Sequence, residues 1–273
     1  MADETLTGDQ QETRRYVRFS LPVPSSMALR QQATKRTQMA RGGTAKRILT
    51  ARRLRKANSP FSGRYRPSYA ASPVQGFAKR MLDTAGAMAG LVLLAPLFAG
   101  IALAIKLTSR GPVFFRQTRL GLNGRPFSIL KFRTMYVEQC DTSGLAHTVD
   151  GDPRVTPVGR FLRRSSFDEL PQLINVMQGQ MSLVGPRPYV PGMQAGGLAY
   201  ECLDYRYYDR LRVLPGITGL AQVNGYRGDA SDEAAARTRL EYDLAYIENS
   251  NVWTDLKIIL RTIAREFFKG SGT

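Results

Sequence analysis

Residues 85–105, AGAMAGLVLLAPLFAGIALAI, form an uncharged run of 21 residues. As one straight helix this run measures ~31 Å, about the thickness of a bilayer's hydrocarbon core. Pro96 sits near its middle, where a proline removes a helical hydrogen bond and crowds the preceding turn. Lys79 and Arg80 precede the run, and Lys106 and Arg110 follow it. A straight span would carry one basic flank across the membrane, against the positive-inside bias. A helix–break–helix that enters one leaflet and returns keeps both flanks on the same side. A buried soluble helix fits least well, since few stay apolar on every face over this length. The run therefore predicts a monotopic membrane protein with its bulk on one side.

Charge divides the rest. The formal net charge is +17, and residues 1–75 carry +11 of it: fifteen Lys or Arg in 13–75 against four acids in 1–12. That segment is rich in Ser, Thr, Gly and Pro and lacks apolar periodicity, so it buries too little surface to offset its ordering entropy. It reads as a disordered basic tail with a short helix around residues 45–57. Its acidic opening, MADETLTGDQ, argues against an organelle-targeting peptide, and no secretory signal is evident. The excess of positive charge points to an anionic partner: nucleic acid, an anionic membrane surface or a phosphorylated substrate. Two cysteines, Cys140 and Cys202, make neither a disulfide framework nor a zinc site. With His147 the single histidine, acid–base and nucleophilic work falls to Asp, Glu, Lys or Tyr.

Past the apolar run, aromatic and β-branched residues flank Gly121-Leu122-Asn123-Gly124, which predicts a β-hairpin. Lys131 and Arg133 alternate with apolar residues on its second strand and so share a face. GDPRVTPVGRFLRR leads through a turn into a short basic helix, and LPGITGLAQVNGYRG reads as a Gly/Pro-rich loop. Near the C-terminus Lys257, Arg261, Arg265 and Lys269 recur every four residues, with Trp253, Leu256, Ile259, Leu260, Ile263 and Phe267 on the other faces. This pattern suits an interfacial helix at anionic headgroups, or a core helix with a solvated face. The fold class is thus mixed α+β, helix-rich, with a small antiparallel hairpin, a Pro-broken re-entrant helix and interfacial amphipathic helices. Three regions are expected: the tail (1–75), the membrane hairpin (76–110) and a catalytic domain (111–273).

Asp168 and Glu169 stand side by side in RRSSFDELPQLINVMQGQMSLVGPRP. Ser166-x-x-Glu169 matches a capping box, and Leu170, Leu173, Ile174 and Met177 continue with helical spacing. As a cap, the pair makes the protein a scaffold. The other reading is chemical. A carboxylate in a helix's first turn, near Arg163 and Arg164, is held ionised by the dipole and those charges, and the same region attracts phosphate. Asp168 could then attack phosphorus while Glu169 holds a Mg²⁺ bridging a diphosphate. Lys131, Arg133, Arg163 and Arg187 would supply positive charge around the transferring group.

Taken together, KRMLD before the apolar run, GPVFFRQTRLGLNGRPFSILKFRTM, DPRVTPVGRFLRRSSFDELPQLINVMQGQMSLVGPRP and PGITGLAQVNG resemble, in order, the motifs of the bacterial sugar transferases. These are the monotopic polyprenyl-phosphate phosphoglycosyl transferases. The resemblance runs from about Lys79 to Lys269. It implies that Asp168 attacks the β-phosphate of a UDP-sugar and releases UMP. It implies Mg²⁺ on Glu169, and passage of the phosphosugar to undecaprenyl phosphate. Arg187 within Pro186-Arg187-Pro188, with Lys131 and Arg163, matches the family's phosphate-handling residues. Where the family breaks its membrane helix at Ser-Pro, this chain has Ala95-Pro96. The C-terminal RLEYDLAYIENSNVWTDLKIILRTI is similar to members that start exopolysaccharide synthesis with glucose or galactose. Glucose is the first expectation, at the cytoplasmic face of a bacterial inner membrane, with a homodimer allowed. The rival class is a membrane-anchored nucleic-acid-binding protein. It rests on the basic tail and leaves the apolar run, the acidic pair and Pro-Arg-Pro without a role, so nucleic acid is not expected as a partner.

Overall fold

The computed structural model describes residues 67, 69, 72–139, 151–227 and 232–269. The expected tail helix, Cys140 and His147 lie outside the described residues. Helix α1 (Pro73–Leu93) and helix α2 (Ala95–Thr108) carry the apolar run and meet at a 61° bend. Pro96 falls in the first turn of α2, where a missing N–H leaves no hydrogen bond unmade. The break is closed by backbone alone: Leu94 N–H donates to Gly90 O at 2.9 Å, and Phe98 N–H to Leu94 O at 2.9 Å. No single described helix is long and apolar enough to cross a membrane, but the bent pair passes that test together. Val92 and Leu93 at the bend and Leu103 and Leu107 on α2 are exposed, so the pair carries an apolar surface that the described residues do not cover.

Strands β1 (Phe114–Leu120) and β2 (Pro126–Phe132) form the expected antiparallel hairpin, with Phe115 opposite Lys131 and Arg119 opposite Phe127. Asn123 and Gly124 take left-handed conformations in its turn, φ 54° and 72°, as Asn-Gly tolerates best. Asn175 seals the free edge of β2: its Oδ1 accepts from Leu130 N–H (2.9 Å) and its Nδ2 donates to Ser128 O (2.8 Å). Helix α3 (Pro157–Arg164) begins at Thr156, whose hydroxyl accepts from Gly159 N–H at 2.9 Å. A Cβ on Gly159 would lie 2.0 Å from Thr134 O, so glycine is what lets α3 press against the chain leaving β2.

Helix α4 (Gln172–Met177) packs Leu173 and Val176 against Ala87 of α1 and Ile129 of β2. Strand β3 (Ser182–Val184) precedes a two-residue ladder, β4 (Gln194–Ala195) with β5 (Leu198–Ala199), and short helix α5 (Tyr200–Leu203). The segment expected to be a loop is instead strand β6 (Gly216–Thr218) and short helix α6 (Leu220–Val223). β6 pairs parallel with β3, Ser182 opposite Gly216 and Val184 opposite Thr218. A Cβ on Gly216 would stand 2.1 Å from Gly185 N, and one on Gly185 2.4 Å from Leu214 O. The glycines that look like loop residues are there because two backbones touch.

Helices α7 (Glu233–Asn249) and α8 (Val252–Lys269) complete the core, with Leu240, Leu244, Ile247 and Ile258 around Val184 and Leu220. A buried polar cluster ties α1 to this core. Lys79 Nζ lies 3.0 Å from Asp83, 2.6 Å from Asp255 and 2.5 Å from Ser182 Oγ. Tyr246 and Tyr69 both donate to Asp255, at 2.8 and 2.6 Å. Arg80 donates to Val176 O and Met177 O, capping the C-terminal end of α4. The charged residues of KRMLD thus anchor the apolar helix pair to the body that carries the acidic pair.

Candidate active site

Asp168 and Glu169 lie in a 3₁₀ turn, Phe167–Glu169, between α3 and α4. The expected capping box is absent: Ser166 is left-handed at φ 58°, and its side chain caps nothing. The reversal turns Phe167 inward beside Leu162 and Phe132, and that burial offsets a strained φ costing roughly 1–2 kcal/mol. The capping-box bond is therefore not made, although both acids lie in the first turn of the 3₁₀ segment that leads into α4.

Both carboxylates are buried, 9% and 7% exposed, so they need local countercharge. Lys131 on β2 supplies it to both, with Nζ 2.8 Å from Glu169 Oε1 and 3.7 Å from Asp168 Oδ2. Arg187 grips Glu169 bidentately, Nη2 to Oε1 at 2.8 Å and Nη1 to Oε2 at 3.2 Å. Arg227 Nη2 stands 3.6 Å from Glu169 Oε2. The two acids consequently diverge. Burial pushes the Asp168 carboxyl above the ordinary value, against Lys131 and with help from the Glu169 charge. Burial also raises Glu169, but Arg187 and Lys131 outweigh it and hold that carboxyl well below the ordinary range. Two neighbouring carboxyls pushed apart in this way suit two different roles.

The remaining predicted site residues are placed unevenly. Arg163 Nε donates to Thr134 Oγ1 at 3.0 Å, and its charge opposes the rise at Asp168. Pro186 and Pro188 flank Arg187 on the loop after β3. Arg133 is not brought to the acids. It is 4% exposed and donates to Ser109 O (2.8 Å), Ser109 Oγ (3.0 Å) and Arg110 O, closing the end of α2. Strand β2 ends at Phe132, so the shared-face rule no longer governs the residue after it. Arg227 and Arg119 were missed. Arg119 donates to Pro188 O at 3.1 Å and to Gln117 Oε1, and burial, then Arg187, lowers its pKa to about 10. Arg119 sits in the polar run Arg116–Arg119 of β1, where no apolar alternation marks it, and Arg227 lies in a loop, so neither carried a signal.

No three His, Cys, Asp or Glu converge among the described residues to form an all-protein metal cage. The acidic pair does match the one or two carboxylates that Mg²⁺ takes when phosphate oxygens and water complete its octahedron. Glu169 Oε2 has the longer cationic contacts, 3.2 and 3.6 Å against 2.8 Å for both at Oε1.

A family model described as bacterial sugar transferase matches residues 74–269, the stretch that holds both the bent helix pair and this site. The chain belongs to the bacterial sugar transferase family. It is 47% identical over 194 residues to the exopolysaccharide production protein PSS of Rhizobium leguminosarum bv. phaseoli, covering 71% of this chain and 97% of that one. It is 50% identical over 185 residues to a UDP-glucose:undecaprenyl-phosphate glucose-1-phosphate transferase of Caulobacter vibrioides, 68% of each chain. A transferase of the same name from Escherichia coli K12 is 46% identical over 196 residues, 72% of this sugar transferase and 41% of the longer relative.

Proposed function

We propose that the protein transfers glucose 1-phosphate from UDP-glucose to undecaprenyl phosphate and releases UMP, as the first membrane step of exopolysaccharide synthesis. The observation that carries this reading is the family match over residues 74–269, the stretch in which Lys131 and Arg187 close on the buried acidic pair. Glu169 is neutralised by Arg187 and Lys131, while Asp168, with its longer contact to Lys131, is the more basic carboxylate. In the first step an Asp168 oxygen bonds to the β-phosphorus, and the bond from that phosphorus to the bridging oxygen breaks. UMP leaves with that electron pair, and the sugar phosphate stays on the aspartyl oxygen. In the second step a phosphate oxygen of undecaprenyl phosphate attacks the same phosphorus. The Asp168 carboxylate is released, giving undecaprenyl diphosphate-linked sugar. Lys131, Arg163, Arg187 and Arg227 face the charge that moves onto the leaving phosphate. Glu169, with substrate phosphates, would hold Mg²⁺, which supplies Lewis-acid neutralisation of the diphosphate.

The acceptor is a lipid phosphate, so the site must sit at headgroup height. The bent helix pair entering one leaflet of the bacterial inner membrane from its cytoplasmic face does this, with Lys79 and Arg80 at its base. Helix α8 adds a surface of exposed Trp253, Leu256, Leu260 and Ile263 interleaved with Lys257 and Arg261, suited to anionic headgroups. The test is UMP release from a panel of UDP-sugars by detergent-purified protein with Mg²⁺ and undecaprenyl phosphate. Turnover with UDP-glucose that disappears in Asp168→Asn is the expected result. Silence across the panel from folded protein would overturn the proposal.

A further inference from the structure

Pro186 and Pro188 have no backbone N–H, so the β3–β6 ladder cannot continue through the loop that carries Arg187. The ladder ends with Gly185 N–H to Thr218 O (2.9 Å), and the chain then turns back so that Pro186 O accepts from Gly216 N–H (3.0 Å). Beyond them the two following carbonyls are each held by a guanidinium from elsewhere. Arg210, from the 3₁₀ segment Tyr205–Arg212, donates through Nη2 to Arg187 O at 2.5 Å. Arg119 of β1 donates through Nη1 to Pro188 O at 3.1 Å. Arg210 is itself fixed by Asp243 of α7, at 2.9 and 3.1 Å, and its guanidinium stacks 3.9 Å from the Tyr189 ring.

A small recess of about 10 Å³, room for about one water, lies against the loop, lined by Leu120, Pro186, Pro188, Leu211, Val213 and Pro215 together with Arg187 and Arg210. Neutral donors would satisfy two carbonyls without placing further positive charge beside Arg187. That guanidiniums are used instead, one of them against a buried Asp, is what a device for aiming Arg187 requires. We propose that Arg119 and Arg210 are positioning residues for the transfer reaction, setting the Pro186–Pro188 backbone so that the Arg187 guanidinium meets Glu169. The part played in turnover rests on the transferase reading above; the hold on the loop does not.

The experiment is a double-mutant cycle on UMP release from UDP-glucose. Arg119→Gln and Arg210→Lys are each placed in the native and in the Arg187→Ala chain. A displaced catalytic group loses on the order of 100-fold, so each single variant is expected to lower kcat about 10- to 100-fold with KM little changed. The same substitutions are expected to cost less than about threefold once Arg187 is gone, because nothing is then left to aim. Equal fold-losses in both backgrounds, or no loss in the native one, would overturn the proposal. Arg210→Lys disturbs the pair with buried Asp243 and could unfold the chain; Arg119→Gln, on the half-exposed hairpin, keeps the test decisive. Amide exchange of the peptide 183–192 gives a readout that needs no turnover. Faster exchange in Arg119→Gln at an unchanged melting temperature supports the clamp, and unchanged exchange refutes it. A native chain that releases no UMP would instead defeat the proposed function and leave the exchange result standing.

Discussion

Replacing Lys79 by Met should loosen the attachment of the bent helix pair in a pH-dependent way. Lys79 is the cation between Asp83 and Asp255, whose side chains are 1% and 0% exposed. Removing one partner of a buried ion pair costs about 3–5 kcal/mol. Lys79 keeps 13% of its side chain accessible, so the lower end, about 3 kcal/mol, is the better figure. For a chain of this size each kcal/mol moves the midpoint by about 2–4 °C, giving a fall of about 6–12 °C at pH 7. Asp255 sets the pH dependence. Burial already holds its carboxyl above the ordinary value, with Lys79 pulling it down, so the variant's Asp255 is raised further. A carboxyl with a raised folded-state pKa takes up its proton as pH falls through that value, and the unpaired charge disappears. The deficit should therefore be full at pH 7 and shrink as the pH approaches the ordinary carboxylate range, near 4. Thermal melts followed by circular dichroism in detergent, native against Lys79→Met at several pH values, measure it. A midpoint within about 2 °C of native at pH 7 would refute the argument. So would a deficit that stays constant or grows on acidification.

Asp168→Asn should abolish UMP release while leaving the melting temperature unchanged or slightly higher, since it removes a buried charge whose pKa burial has raised; a large loss of stability would mean the carboxylate is structural. The acid limb of kcat/KM should lie above the ordinary carboxylate value of about 3.9, because Asp168 must be ionised to attack; a limb at or below that value would remove Asp168 as the titrating nucleophile. Glu169→Gln should lower turnover about 100-fold and stability by about 1–3 kcal/mol, through the bonds lost to Lys131 and Arg187; parallel rate and melting measurements check both. Gly216→Ala should prevent folding, as its Cβ would stand 2.1 Å from Gly185 N; soluble, active protein would show that the strands can separate at small cost.

Part of this molecule was readable residue by residue, and part was not. The hairpin, the break at Pro96, helix α3 and the C-terminal helix α8 follow from turn chemistry, proline geometry and periodicity, all of which act over a few residues. The association of Lys131 and Arg187 with the acidic pair was visible through the order of motifs, although spacing alone could not show that they converge. Ser166 misled because the capping-box pattern is short, and the burial of Phe167 outweighed it. Arg133 misled because the alternation that placed it beside Lys131 stops with β2.

The sequence by itself determined where the backbone bends at Pro96, the β1–β2 hairpin and the longer helices, and that a basic chain sets two adjacent carboxylates in a motif string ending in Pro-Arg-Pro. Only the tertiary structure decided that β3 pairs with β6, that Asp255 meets Lys79, that Arg227 joins Glu169, and that Arg119 and Arg210 hold the Arg187 loop. The physical reason is one of range. Backbone sterics and hydrophobic period are set by immediate neighbours. Burial and countercharge are set by everything that packs around a group, and so Asp168 and Glu169, adjacent in the chain, have carboxyls displaced in opposite directions.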